Sequence, residues 1–246
     1  MVTEDLRIWL NHFAYHSQHP RYLPSGLGDH LSDEERRLIA GSIATFQLGE
    51  QSEGGTLLKA TERFVQARGG LQTLTRIMEL FVREEQRHAA LLQEFMQDHG
   101  IPLKTHDWTD RAFRALRRLA GLELYLHVLI VAELIGKVYY RALEAATDCQ
   151  RLKILCRILV CDELAHVGFE SQLLLALRAE RSATARAVMR LAHRAFFAGT
   201  VGVVWLMHRA VLRRAGYGAR SFLRSCLTQY AFYLEPAKAS LATSAR

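Results

Sequence analysis

The chain has 246 residues, of which half are apolar and only four are proline, and its formal net charge is +7. This composition excludes a largely disordered chain and favours a helical globule, either one domain or a core with an appendage. The four cysteines show no C-x-x-C spacing, which argues against a structural zinc site and against a rubredoxin-type iron centre.

Two features of the sequence predict a cytoplasmic protein. The N-terminal stretch contains Glu4 and Asp5 and lacks the apolar segment of a secretory signal. The most apolar run, Phe196–Met207, has 12 residues between Arg194 and Arg209. A run of that length is too short to span a bilayer.

The N-terminal part of the chain begins with a short amphipathic helix, predicted over residues 3–16. Ser32 and Glu35 have capping-box spacing, so the first helix of the core is predicted to begin there. The glycine pair Gly54-Gly55 interrupts this helix. The pair is consistent with a surface kink and, equally, with a close backbone approach or an opening of the helix beside a functional site.

Three more long helices complete a core that spans about 33–177, and two further helices form a C-terminal appendage over 182–234, all within one domain. Thr147 and Gln150 predict a second capping box at the start of the fourth core helix. The predicted helices after the first core helix lie at about 70–98, within 109–147, from about 150, at 182–214 and at 218–234.

Two Glu-x-x-His motifs, Glu85 to His88 and Glu163 to His166, lie inside the helical patterns. Residues three apart share one face of a helix, so each motif aims a carboxylate and an imidazole in the same direction. In both motifs the two residues occupy seam positions of a heptad, where an apolar side chain would normally pack. A buried glutamate is costly unless it is paired or bound to metal. Two such pairs in one core therefore predict a metal site.

Further glutamates continue this pattern on the other two core helices. A di-metal carboxylate site in a four-helix bundle needs one glutamate from each of them. Glu133 lies on the seam of the third core helix, and both Glu50 and Glu53 lie on the seam of the first. A pseudo-twofold relation between the halves would pair Glu50 with Glu133. Glu53 would then ligate in one redox state or contact substrate.

The ordered pattern of Glu, Glu-x-x-His, Glu and Glu-x-x-His resembles the ferritin-like di-iron carboxylate superfamily. That superfamily includes ribonucleotide reductase small subunits, acyl-carrier-protein desaturases, bacterial multicomponent monooxygenases, rubrerythrins and p-aminobenzoate N-oxygenase. The resemblance covers roughly residues 33–177. Asp162-Glu163 is similar to the oxygen-activating members, and Glu84 to His88 is similar to the desaturase form. The resemblance implies an all-α, ferritin-like antiparallel four-helix bundle with extra N-terminal and C-terminal helices.

The resemblance also implies roles for the site residues. Two iron ions, or a manganese and an iron ion, would be bridged by Glu85 and Glu163. The other ligands would be His88, His166, Glu133 and a first-helix glutamate, either Glu50 or Glu53. Two outer acids would orient the imidazoles across the site, Asp162 for His88 and Glu84 for His166. Outer acids of this kind fix the imidazole tautomer and raise its basicity.

The function that the resemblance implies is an oxygen-dependent di-iron oxidoreductase of the oxygenase, hydroxylase or desaturase type. Its substrates would be dioxygen and a small or carrier-bound organic molecule. The sequence shows no flavin, haem or iron–sulfur motif, so an external reductase or ferredoxin is expected to supply electrons. Three other functions stay open: a tRNA-modifying di-iron hydroxylase, a ferroxidase or other iron-handling protein, and a non-catalytic helical adaptor.

The C-terminal part of the chain is strongly basic. From Arg178 to Arg246 there are 12 lysines and arginines and only two acids. Arg186, Arg190 and Arg194 follow one another at intervals of four and form one basic ridge. The ridge is either a solvated face or a surface for an acidic partner, such as acyl carrier protein or tRNA. A homodimer is among the oligomeric states that the sequence leaves open.

Overall fold

The computed structural model describes residues 3–24, 29–51, 54–118 and 121–235. Within these ranges the chain is all-helical, which confirms the all-α prediction. The nine helices of the described ranges are α1 (Thr3–Gln18), α2 (Asp33–Glu50), α3 (Gly55–Arg68), α4 (Gln72–Asp98), α5 (Trp108–Arg118), α6 (Leu122–Ala145), α7 (Gln150–Ala179), α8 (Ala183–Arg214) and α9 (Ala219–Leu234).

The two predicted capping boxes differ in outcome. At the start of α2, Glu35 N donates to Ser32 Oγ at 3.2 Å and Ser32 N donates to Glu35 Oε2 at 3.2 Å, as predicted. The box predicted at Thr147 and Gln150 is wrong, because Cys149 is the N-cap of α7 and makes no side-chain cap. Thr147 lies two residues earlier, where its hydroxyl donates to Glu35 at 3.1 Å and links the starts of α2 and α7.

The glycine pair divides the first predicted core helix into α2 and α3. Gly54 has φ +68° and precedes the first residue of α3. A Cβ on Gly54 would lie 2.2 Å from Val82 Cγ1, far closer than van der Waals contact. Of the two readings of the pair, the structure therefore supports close backbone approach, here of α3 to α4.

The buried core lies among α2, α4, α6 and α7. α4 packs against α1, α2, α3 and α7, and α6 packs most extensively against α7. α8 and α9 pack on α6 and on each other, and α8 also contacts α2. The Glu-x-x-His motifs therefore lie on two helices, α4 and α7, that face each other in the core.

α8 is a long helix that exposes several apolar side chains, among them Val188, Leu191 and Leu206. It has 32 residues and contains an 18-residue window of mean hydropathy 1.5, of which 28% is buried. By length and composition it could cross a membrane. A single helix of this kind is weak evidence of a membrane protein, because core helices of soluble proteins have the same properties. The sequence analysis treated only Phe196–Met207 as the apolar run.

Candidate metal centre

Four side chains from α4 and α7 meet inside the bundle: Glu85, His88, Glu163 and His166. One ligand atom from each lies within 4.8 Å of the others. The two imidazoles are fully buried, and Glu85 is 9% exposed. These four groups could hold a metal ion.

The two inner carboxylates lie between the two imidazoles. His88 Nδ1 is 3.5 Å from Glu85 Oε1 and 3.4 Å from Glu163 Oε1. His166 Nδ1 is 2.9 Å from Glu85 Oε1 and 3.5 Å from Glu163 Oε2. Each histidine thus directs Nδ1 at both carboxylates, which places each carboxylate where it could be shared between two cations.

The opposite nitrogen of each ring faces an acid from the other helix. His88 Nε2 lies 3.2 Å from Asp162 Oδ2, and His166 Nε2 lies 3.1 Å from Glu84 Oε2. This is the cross-pairing that the family resemblance implies. An ionised carboxylate only accepts hydrogen bonds, so each Nε2 donates its proton outward and each Nδ1 can present a lone pair to the centre.

Two arginines hold the outer acids in place. Arg87 Nη2 donates to Glu84 Oε1 at 3.0 Å and to Asp162 Oδ2 at 2.6 Å, and so joins both outer acids. Arg21 also pairs with Asp162. Burial alone would raise the pKa of Glu84, but the hydrogen bond and charge of His166, together with Arg87, lower it to about 2. Glu84 is therefore ionised and suited to orient an imidazole.

The inner ligand atoms lack hydrogen-bond partners in the described part of the chain. The unpartnered atoms at the centre are Glu85 Oε1, His88 Nδ1, both carboxylate oxygens of Glu163, and His166 Nδ1. Leaving a buried polar atom unpaired costs about 1–3 kcal/mol. Because all of these atoms converge on one point and are carboxylate oxygens and imidazole nitrogens, they fit a bound iron or manganese ion.

The protonation of the inner histidines points to the same requirement for positive charge. Burial lowers the pKa of His88, but the adjacent carboxylates of Glu163 and Glu85 raise it to about 9. The same causes raise the pKa of His166 well above its ordinary value. Both shifts reflect the negative charge of the carboxylates around the two rings, which a bound cation would offset.

Two further glutamates from the predicted set reach this centre. Glu50, at the end of α2, accepts a 2.5 Å hydrogen bond from Tyr140 Oη, and its electrostatic neighbours include Glu85 and His88. Glu133 on α6 is 6% exposed and lines the same cavity as Glu163. Burial and the nearby carboxylates raise the pKa of both well above the ordinary value. Glu53 lies outside the described residues.

Glu170 is not among the sequence-predicted ligands, although it belongs to the same seam of α7. Glu170 is 1% exposed, and neither of its carboxylate oxygens has a hydrogen-bond partner in the described chain. Its seam position, one turn after His166, is the sequence feature that could have identified it as part of the centre.

A cavity of about 430 Å³ opens beside the centre. Glu50, Glu85, Glu133 and Glu163 form part of its wall, and residues of α5 and α8 complete it. The wall is mostly apolar and includes Phe46, Phe81, Leu129, Phe196, Val204 and Met207. The sequence analysis did not predict this cavity, because its walls come from helices far apart in the chain.

The basic ridge predicted on the C-terminal appendage lies on α8, away from the centre. Arg186 Nη1 donates to Arg181 O at 2.7 Å. Arg194 Nε pairs with Glu235 Oε1 at 3.2 Å. Arg190 is exposed. Two of the three arginines therefore have partners within the chain.

Comparison with protein-family models, curated proteins and solved structures found no match for this chain.

Proposed function

We propose that this chain is a ferritin-like di-metal oxidoreductase that uses dioxygen to oxidise a small apolar molecule. The observation that carries the proposal is the convergence of unpartnered Glu and His atoms from two Glu-x-x-His motifs beside an apolar cavity. Buried ligand atoms would hold the metal, and the cavity would hold a substrate against the same carboxylates.

The ligands would be divided between two metal positions. Glu85 and Glu163 lie between the two imidazoles and would bridge the ions. His88 and His166 would supply the nitrogen ligands, and Glu50 and Glu133 would supply further carboxylates. Two iron ions, or a manganese and an iron ion, would supply oxygen activation when bound, with electrons from an external reductase or ferredoxin.

The chain's own residues would provide orientation and exclusion of water. Asp162 and Glu84 hold the imidazoles through Nε2, and Arg87 fixes both acids. Tyr140 donates to Glu50 and limits the directions that this carboxylate can take. The aromatic and aliphatic cavity wall would orient an apolar substrate by shape and keep bulk water from the reacting atoms.

The cavity is also the reason to prefer an organic substrate over iron itself. A ferroxidase needs a polar route for hydrated ferrous ions, whereas the wall here is dominated by apolar side chains. The basic C-terminal part of the chain would suit a tRNA substrate. A cavity of about 430 Å³ has room for a drug-sized apolar molecule, which favours a small substrate held inside the protein.

The test is metal content after anaerobic loading with ferrous iron and removal of excess metal. We expect two ions per chain, and we expect His88→Ala and Glu163→Ala each to lose most of the bound iron. Glu62→Ala, which changes an exposed acid on α3, is the control and should keep both ions. Less than one ion per wild-type chain would contradict the proposal.

The reaction is tested by admitting oxygen to the loaded protein and recording oxygen uptake and the optical spectrum. We expect oxygen to oxidise only the two bound ions. Further turnover should require the addition of a reductant and an apolar substrate. Continued oxidation of added ferrous iron, many ions per chain, would instead identify a ferroxidase.

A further inference from the structure

Glu170 is a buried acid that the proposed ligand set does not use. It lies on α7, four residues after His166, and is 1% exposed. Neither carboxylate oxygen has a hydrogen-bond partner among the described residues. An isolated buried carboxylate is strongly unfavourable, so its presence at this position calls for a cation or a proton donor close to it.

The electrostatic neighbours of Glu170 all belong to the metal centre. They are His166, Glu85 and Glu163, and Glu170 in turn acts on Glu133. Burial raises the pKa of Glu170 well above its ordinary value, with Glu85 and Glu163 adding to the effect and His166 opposing it. Glu170 thus shares the electrostatic environment of the predicted ligands and lies one turn after His166 on the seam of α7 that carries them.

The two halves of the centre differ at this position. The steps from Glu85 to His88 and on to Leu92 repeat on α7 as Glu163, His166 and Glu170. Leu92 is fully buried, so the α4 half presents an apolar side chain where the α7 half presents a carboxylate.

The terminal acids are also divided unequally. Glu50 interacts with His88, and one of its oxygens accepts from Tyr140. Glu133 lines the same cavity as Glu163 and has Glu163 and Glu170 among its electrostatic neighbours. The acids thus differ in their partners: Glu50 accepts from Tyr140, whereas Glu170 has no hydrogen-bond partner among the described residues.

We propose that Glu170 is an additional carboxylate ligand of the metal position beside His166, which makes the two positions chemically unequal. The inference rests on the proposed di-metal centre. With more carboxylate oxygens, the position beside His166 would favour the harder ion of a mixed pair, since oxygen ligands suit manganese better than imidazole does.

The test uses the full chain, metal-free and loaded with manganese(II) or iron(II). In Glu170→Leu the α7 half acquires the side chain that α4 carries at Leu92. We expect two binding events in the wild type, and in the variant a loss on the order of tenfold or more in the affinity of one event. The electron paramagnetic resonance spectrum of bound manganese(II) should show the loss of one of two environments. Leu92→Met, a volume-conserving change at the equivalent α4 position, is the control and should leave both events unchanged.

Thermal unfolding provides a second readout that is independent of activity. Removing an unpartnered buried carboxylate should raise the Tm of the metal-free protein. The additional rise on metal loading should be smaller in Glu170→Leu than in the wild type, because metal stabilises the folded state only as far as it binds. Glu170→Gln, which keeps the shape of the side chain, should show the same loss of one metal affinity and serves if the leucine variant does not fold.

The outcomes separate this inference from the proposed function. If Glu170→Leu, or Glu170→Gln in its place, binds two ions with wild-type affinity and spectrum, Glu170 is not a ligand and the di-metal centre stands. If the wild type itself does not bind two ions, both the proposed function and the proposed role of Glu170 fail.

Discussion

At the scale of single residues, the centre depends on the direction of two imidazole rings. Each ring has one nitrogen turned to the inner carboxylates and the other turned to an acid on the opposite helix. The outer acids are held by Arg87, which bonds to both. The inner lone pairs are therefore positioned before any metal binds, and this preorganisation lowers the cost of binding.

Changing an outer acid should weaken metal binding without removing a ligand. In Asp162→Asn the side chain keeps its size but loses the charge that orients His88, so we expect metal affinity to fall by about 10–100-fold. Competition with a chelator measures the affinity. Glu79→Gln, which alters an acid of α4 that pairs with Arg76 on the surface, is the control. Equal affinities in both variants would show that Asp162 does not position the ring.

At the scale of helices, the junction between α2 and α3 brings the backbone of α3 against α4. Gly54 has a left-handed backbone, and a Cβ on it would overlap the side chain of Val82. Only glycine meets both conditions at low cost. The junction lies beside the cavity, since Glu50, Gly54 and Val82 all contribute to the cavity wall.

Gly54→Ala should destabilise the protein more than a glycine substitution that meets no neighbour. Gly100 ends α4 with φ +62°, and a Cβ there has nothing within 4 Å. We expect Gly100→Ala to cost about 1–2 kcal/mol from the left-handed backbone alone. Gly54→Ala should cost about 1–3 kcal/mol more, because Val82 must move. Urea unfolding measures both losses, and the extra loss should shrink in a Val82→Ala background. Equal losses at the two glycines would mean that the contact with Val82 carries no cost.

At the scale of the whole molecule, a buried polar cluster connects the C-terminal helices to the bundle. Arg178 Nη2, on α7, donates to His127 Nδ1 of α6 at 3.1 Å and to His193 Nδ1 of α8 at 2.9 Å. His193 Nδ1 also lies 3.1 Å from the hydroxyl of Tyr230 on α9, and Glu123 is the acid that acts on Arg178 from nearby. Four helices therefore meet at one guanidinium, and both imidazoles must be neutral to accept from it.

This cluster should make stability depend on pH. Burial, together with Arg178, lowers the pKa of His193 to about 4, and burial with His193 and Arg178 lowers that of His127 to about 3. Both folded pKa values lie below the unfolded value near 6.5. The contribution of the neutral cluster to the free energy of unfolding is therefore fully present above pH 6.5 and is lost as pH falls toward 4. At pH 5 each histidine should lower the free energy of unfolding by about 2 kcal/mol relative to its value above pH 6.5.

Denaturant unfolding of the metal-free protein at pH 7 and pH 5 checks this prediction. The loss of stability between the two pH values should be smaller in His193→Gln than in the wild type. His30→Gln, at an exposed position outside the cluster, should match the wild type. The metal ligands titrate equally in all three proteins, so their contribution cancels in the comparison. If His193→Gln loses as much stability between pH 7 and pH 5 as the wild type does, the cluster does not control the pH dependence.

The sequence by itself determined the helices and the seam residues of the core. The start of α2 at Ser32 and the extents of α8 and α9 follow from capping residues and from 3.6-residue periodicity, which act within a few turns. Periodicity also placed Glu85 with His88, and Glu163 with His166, on inward faces, because residues three apart necessarily share a side of the helix. The cap predicted at Thr147 was wrong, since the N-cap of α7 is Cys149. The Thr147 hydroxyl instead donates to Glu35, a residue more than a hundred positions earlier.

Only the tertiary structure decided which residues meet across helices. The link from Arg87 to Asp162, the sharing of Arg178 by two histidines, and the cavity walls from α5 and α8 all join segments far apart in the sequence. Such contacts depend on how helices pack, which local periodicity does not encode. Glu170 shows the difference most clearly. Its seam position is visible in the sequence, but its lack of a hydrogen-bond partner among the described residues is a property of the packed interior, where water cannot reach the carboxylate.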